Sequence, residues 1–425
     1  MRNEDSLYQK KRDRRRLFAD FRFRVYGILG LVLAGSALLF LLGNIFSTGY
    51  SAFQQTVITL EFNLDAEILG VTSTASPAER QEANAAKVAK NGLYVLFPEV
   101  KKSKDKRNLT KLLSLGAELD IRDLLIDKPE SIGSSVTLTV PMSSDVDQYY
   151  KASLRGEQFQ SRLDEQQKKW LQILIDKKIV EMQFNTDFFT RADSRYPELA
   201  GIGGAVVGTI YTLLICLLIA FPLGVAAAIY LEEFSRDSFM ARMVEANINN
   251  LAAVPSVIFG LLGLAVILNV FGLPRSTPLA GGIVLALMTL PTIIIACRSA
   301  IKTVPPSIRE AGMAMGASPI QVTFHHVMPA AMSGTLTGTI IGLAQALGET
   351  APLLMIGMVA FIANVPGAPS DPATALPVQI YLWAESAERG FVEKTAAAIM
   401  VIIVFLIAMN LLAVLIRNRT RISNK

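Results

Sequence analysis

Residues 309–329 read REAGMAMGASPIQVTFHHVMP and interrupt two long apolar runs. The stretch is polar, yet it keeps a helical pattern of its own. Met313, Met315, Ile320, Val322, Phe324 and Val327 supply apolar contacts, and Arg309, Glu310, His325 and His326 supply polar ones. Gly312 and Gly316 stand four apart, a spacing that predicts one shared helix face open to another backbone. Ser318-Pro319 has the form of an N-cap followed by proline at the first helical position, so a second short helix is expected to start there. Pro329 leads into the next apolar run. Two short helices at a membrane surface would form a rigid knob for a partner to grip. An ordinary connection between membrane helices is shorter than this and has no need of the glycine spacing.

The chain has 425 residues, is 51% hydrophobic and has a mean hydropathy of +0.40. Apolar runs of about 20 residues point to a bilayer rather than to a soluble core. Spans are expected at roughly 26–47, 203–231, 247–271, 279–300, 333–361 and 395–416. The net charge of +5 is unevenly spread. Lys10, Lys11, Arg12, Arg14, Arg15 and Arg16 precede the first run, and Arg417, Arg419, Arg421 and Lys425 follow the last. Both termini are therefore expected in the cytoplasm, as an even number of spans requires. Arg298, Lys302 and Arg309 then fall on the same side. The first run is too long for a signal peptide and lacks a small-residue cleavage site, so it reads as an uncleaved anchor. The expected organisation is a basic N-terminus (1–25), a first transmembrane helix (26–47) and an extracytoplasmic domain (48–200). A five-helix core (201–416) follows, with the polar loop at 301–330, and then a cytoplasmic tail (417–425).

The 48–200 segment has no run long enough to span. Thr56–Phe62, Tyr94–Phe97, Val136–Val140 and Ile179–Phe184 pattern as strands, Pro77–Lys90 and Glu157–Lys178 as helices. Its length suits one α+β domain. It contains no cysteine, so packing alone must stabilise it. Lys101, Lys102, Lys104, Lys106 and Arg107 form a basic run, read either as a solvated loop or as a patch for an anion or an acidic partner.

Within the core, Val254-Pro255-Ser256 should distort a helical turn. The Ser256 hydroxyl is then available either to its own helix or to substrate. Arg298 reads either as a side chain reaching to water or as an anion contact. Gly334, Gly338 and Gly342 recur every four residues and mark a close helix contact. Gln345, Glu349 and Thr350 follow, with Glu349 about 22 Å of helix rise beyond Gly334. An ionisable group that deep should face protein or water, either hydrogen-bonding a neighbouring helix or pairing with a cation along a path. After this span, Tyr381 and Trp383 suit a membrane interface. Cys216 and Cys297 lie in predicted spans and read as small core residues. His325 and His326 are adjacent and diverge on a helix, so no shared metal is expected. There is no G-x-x-x-x-G-K-[ST] run and no catalytic constellation, so neither enzyme activity nor a bound cofactor is expected of this chain.

The 309–329 stretch resembles the EAA loop of ABC-importer permeases. That pattern is Glu-Ala-Ala, a Gly four residues after the last Ala, and a closing Ile-x-Leu-Pro. The sequence matches it at Glu310, Ala311, Gly316 and Pro329, and departs at Gly312, His326 and Met328. Ala253–Leu264 (AVPSVIFGLLGL), Leu347–Leu354 (LGETAPLL) and Leu376–Ala384 (LPVQIYLWA) add a closer resemblance, to phosphate-importer permeases of the PstA type, over about residues 203–416. The resemblance implies a polytopic α-helical membrane protein, a type I ABC-importer permease of about six helices. It carries an inserted extracytoplasmic α+β domain that lies outside the ordinary family pattern.

What the resemblance implies about function follows from the family. The coupling residues would be Glu310, Ala311, Gly312, Gly316 and Pro329. The chain would be half of the channel of a phosphate importer in a bacterial inner membrane. Its partners would be a PstC-type permease, a PstB-type ATPase dimer that binds ATP and magnesium, and an extracytoplasmic phosphate-binding protein; no nucleic acid is implied. One alternative is a permease of the same class for sulfate, molybdate or tungstate. Another is a membrane sensor with an outer ligand domain, which short cytoplasmic ends disfavour.

Overall fold

A computed structural model describes residues 2–157, 160–236 and 238–422. Lys425 and the side chains of Lys10 to Arg16, Arg417, Arg419 and Arg421 lie outside the described residues. Helix α1 (Arg2–Gly49) includes the first apolar crossing. A short 3-10 turn, Tyr50–Phe53, then passes directly into a sheet.

The sheet has three antiparallel strands in the order β2-β1-β3: β1 (Gln54–Asn63), β2 (Ser135–Pro141) and β3 (Val180–Phe184). Ile58 faces Val140 on one side and Val180 on the other, so the middle of β1 is paired on both edges. Alternation sends Ile58, Leu60 and Phe62 into the core and leaves Glu61 and Asn63 exposed. Around the sheet lie α2 (Ala66–Leu69), α3 (Pro77–Gln81), α4 (Ala85–Leu96), α5 (Ser103–Thr110), α6 (Gly116–Asp127), α7 (Ser144–Leu154), α8 (Glu165–Asp176) and α9 (Asp187–Thr190). Phe62, Leu93, Phe97, Ile121, Leu125, Trp170 and Leu174 join in one buried cluster that belongs wholly to this domain.

Three local expectations are corrected. Tyr94–Phe97 is not a strand; it falls at the end of α4, whose Val88, Ala89 and Leu93 line one buried helical face. The predicted helix 77–90 is two helices, because Asn84 caps a new start by accepting from the Lys87 amide at 3.3 Å. The predicted helix 157–178 begins only at Glu165, where Asp164 and Gln167 form a capping box.

The remaining chain is helical. It comprises α10 (Gly203–Ile229), α11 (Phe239–Ala252), α12 (Ser256–Leu262), α13 (Pro278–Lys302), α14 (Pro306–Ala314), α15 (Pro319–Val322), α16 (Met328–Gly348), α17 (Ala351–Met355), α18 (Leu376–Ala384) and α19 (Gly390–Ile422). Among the described residues, five helical stretches are long and apolar enough to cross a membrane, and a sixth is possible if one bent pair counts as a span. α13 is central: it packs against α10 and α16, and Val284, Leu285, Ala286, Cys297 and Ile301 on it are buried. Cys216 and Cys297 are free, buried and beside Thr289 and Thr335. α1 lies along α19, with the Gly49 backbone against Ala396 and Ala397.

Two predicted spans are interrupted. The segment 247–271 is not one straight helix: α11 and the stretch Ser256–Leu268 meet at 102°. Pro255, which begins the second arm, has no N–H to continue the ladder of α11. The segment 333–361 ends its long helix at Gly348, and Glu349 is extended (φ −82°, ψ 119°). Pro352 cannot donate to the Gly348 carbonyl, so α17 starts as a separate turn. The two arms beyond these breaks meet. A Cβ on Gly260 of α12 would come within 2.7 Å of Pro352 Cα.

The α+β domain is fastened to the helices. Lys151 of α7 is 5% exposed and pairs with Asp147 at 2.6 Å and with Glu393 of α19 at 3.2 Å. Lys394 Nζ donates to the Ala200 carbonyl at 2.8 Å, and Arg162 pairs with Glu388 at 2.8 Å. Trp383 does not serve as a lipid-interface anchor: it is buried, stacks on Phe391, and donates from Nε1 to Asp193 at 2.9 Å. Burial holds the Asp193 carboxyl above its ordinary range despite the hydrogen bond from Trp383.

Candidate coupling surface and crossing path

The 309–329 stretch forms a corner at one end of the crossing helices, with its second half, from Pro319, continuous with the stretch that runs to Gly348. α14 has no buried residue, and Glu310, Ala311, Met313 and Met315 are exposed, Met315 at 89%. Ile320 and Phe324 are also exposed, so four apolar side chains are left uncovered at this end. Such a cluster marks a contact surface, and methionine adapts readily to a partner's shape.

The two glycines serve different ends. Gly312 faces inward, and a Cβ there would come within 2.8 Å of Val322. Gly316 is not on the same helix face. It lies beyond α14 at φ +87°, where no heavy atom would meet a Cβ. Its role is the left-handed turn that ends the helix, a conformation other residues adopt at a cost. Ser318 does cap the next helix, in a capping box with Gln321. That helix, α15, is not isolated: a wide turn over Thr323–Val327 joins it to α16. Pro329, in the first turn of α16, cannot donate to the His325 carbonyl, and the widened turn before it removes the need for that bond. His325 Nδ1 donates to the Gln321 carbonyl at 3.1 Å, and both histidines are exposed. No metal-binding group of His, Cys, Asp or Glu occurs among the described residues.

The corner is braced by carboxylates that the sequence reading passed over. α10 ends in a wide turn, Tyr230–Phe234, that presents Glu232 and Glu233. Arg309 meets Glu233 through Nη2 at 2.6 Å and Nε at 3.1 Å. Arg298 does not stand free for an anion. It meets Glu232 at 2.6 Å and Glu245 of α11 at 3.1 Å, and is 11% exposed. A usable signal was present: two carboxylates close one apolar run, and two arginines flank the end of another on the same side.

The other site candidates separate into two groups. Gly334, Gly338 and Gly342 run along α13. A Cβ at Gly334 would come within 2.6 Å of Ala300, one at Gly338 would strike Ala296, and one at Gly342 would lie 3.6 Å from Ile293. Ser256, Glu349 and Thr350 sit instead at the two helix breaks and are half-buried, while Gln345 is exposed. Glu349 thus follows the end of α16, beyond the three glycines that face α13. Breaks at membrane depth are tolerated where they meet protein or water, and such places also line transport paths.

Residues 220–422 match the family of binding-protein-dependent transport system inner membrane components, and residues 10–159 match a domain of unknown function, DUF3333. The chain is 32% identical over 207 residues to a probable phosphate transport system permease protein PstA of Methanocaldococcus jannaschii, covering 48% of this chain and 72% of that protein. It is 32% identical over 240 residues to the phosphate transport system permease protein PstA of Haemophilus influenzae, covering 56% of this chain and 82% of that protein. An inward-facing MetNI methionine ABC transporter aligns with 52% of this chain and 94% of its own, at 18% identity and a TM-score of 0.42. With helices long and apolar enough to cross a membrane, an exposed corner at 306–327 and relatives matched over most of their length, the chain belongs to the PstA-type permeases among the binding-protein-dependent transport system inner membrane components.

Proposed function

We propose that this chain is one of two permease subunits of an ATP-driven phosphate importer. The observation that carries the reading is the exposed apolar corner of Met313, Met315, Ile320 and Phe324, held on a braced loop at one end of the crossing helices. A partner ATPase dimer of the PstB type grips that corner and supplies the ATP and magnesium chemistry; this chain supplies none. A PstC-type permease completes the channel, and an extracytoplasmic binding protein delivers phosphate on the opposite side. The basic ends of the chain put the corner and both termini in the cytoplasm and the α+β domain outside the inner membrane. The broken segments at Pro255 and Glu349 then line the route, where interrupted helices can change partners between outward and inward access.

Deleting the protein from cells with no other phosphate importer is expected to abolish high-affinity phosphate uptake. Uptake at the wild-type rate would refute the reading. Competition by sulfate, molybdate or tungstate, with phosphate ineffective, would reassign the substrate within the same class.

A further inference from the structure

Arg309 is the residue on which three helix ends converge. Its Nη2 and Nε donate to Glu233, at the end of α10, while Nη1 donates to the Val304 carbonyl at 2.8 Å. Nη2 also donates to the Ile301 carbonyl at 3.2 Å. Ile301 is in the last turn of α13, and Arg309 itself is in the first turn of α14. The guanidinium therefore closes the C-terminal end of α13, where unpaired carbonyls carry partial negative charge, and carries the start of α14 on the same plane. Glu233 is 9% exposed and meets the guanidinium with both oxygens, at 2.6 and 3.2 Å. A planar fork bonded through all three of its nitrogens resists shear between the pieces it joins, as a lysine in the same place would not. The adjacent Glu310 points outward and is exposed, so contact with a partner and the inward clamp belong to neighbouring residues of one helical turn.

We propose that Arg309, seated on Glu233, is the positioning residue that delivers movement of the coupling corner to the crossing helices; this rests on the importer reading above. The pair makes the start of α14, the end of α13 and the end of α10 move as one body. A push on the corner then rotates α10 and α13 together. Without the pair, the push is absorbed in the three-residue connection at 303–305. Arg298, with Glu232 and Glu245, extends the same tie to α11 but does not touch the corner.

The test uses the complete complex reconstituted in proteoliposomes, with ATP hydrolysis and phosphate uptake measured on the same vesicles. Arg309→Lys keeps the charge and loses the fork, and Glu233→Gln keeps the shape and loses the charge. Both are expected to retain their ATPase subunits and basal hydrolysis, while phosphate moved per ATP falls about tenfold. The exchanged pair Glu233→Arg with Arg309→Glu is expected to recover more of that ratio than either reversal alone. A merely structural pair would lower uptake and hydrolysis in step and leave the ratio unchanged, which would overturn the proposal. Loss of the ATPase subunits from both variants would also overturn it. If the wild-type complex hydrolyses ATP without moving phosphate, the importer reading itself fails.

Discussion

Replacing Lys151 with methionine removes the cation that holds the α+β domain to α19. Lys151 lies in a small pocket of about 20 Å³ lined also by Asp147, Glu198, Glu393 and Lys394. Burial works against its charge, but Asp147 and Glu393 outweigh burial and leave its pKa raised. A raised lysine contributes stability that is complete below its unfolded pKa and is lost only as pH rises through the folded value. The tie is therefore whole at neutral pH. Methionine fills most of the space but leaves two carboxylates facing each other. Breaking a buried pair in this way costs about 3–5 kcal/mol. Asp147 keeps its bond from the Thr56 amide at 2.7 Å, and Lys394 lines the same pocket, so the lower end of that range applies. About 3 kcal/mol corresponds to roughly a hundredfold faster opening, read by hydrogen exchange of the α7 amides in the purified protein. Lys151→Met with Glu393→Met removes both charges across the seam and replaces them with apolar contact, which is often nearly neutral. The double variant should regain most of the lost protection. Unchanged exchange in the single variant, or a double variant as loose as the single, would refute the argument that charge pairing fastens the domain.

Three further outcomes are expected. Gly316→Leu forces a left-handed turn on a branched side chain at a cost of about 1–2 kcal/mol, so complexes purified with this variant should lose their ATPase subunits, whereas Gly316→Asn should keep more; equal retention would show that the turn does not position the corner. Residues 50–198 expressed alone should be soluble and melt cooperatively, because their largest buried cluster draws on no residue beyond Val180; a disordered circular dichroism spectrum would contradict this. Glu349 stands half-buried at a helix break, beyond the glycines that face α13, so Glu349→Leu and Glu349→Gln should both insert and assemble normally. Misassembly of the leucine variant in detergent would reveal a packing partner for the carboxylate.

Much of the architecture follows from local pattern. Apolar runs gave most of the crossings, Gly334, Gly338 and Gly342 marked a packed face, and Ser318-Pro319 marked a helix start. Each depends on neighbours within a few residues, where periodicity, caps and proline act directly. Three of the four predicted strands were legible for the same reason, whereas Tyr94–Phe97 was too short for its period to separate strand from helix. What the linear pattern left undecided depended on distant residues. The direction of the bend at Pro255, and the end of a helix at Gly348 rather than at 361, are set by how the freed carbonyls and the two short arms pack together. Trp383 could be read as a lipid anchor until Asp193, 190 residues away, supplied its acceptor. Arg298 and Arg309 carried charge that any reader would place near water, yet Glu232 and Glu233 claim both. A single charge has a calculable cost in an apolar place, but its partner is chosen by which helix ends the fold brings within hydrogen-bond reach, and no local spacing encodes that distance.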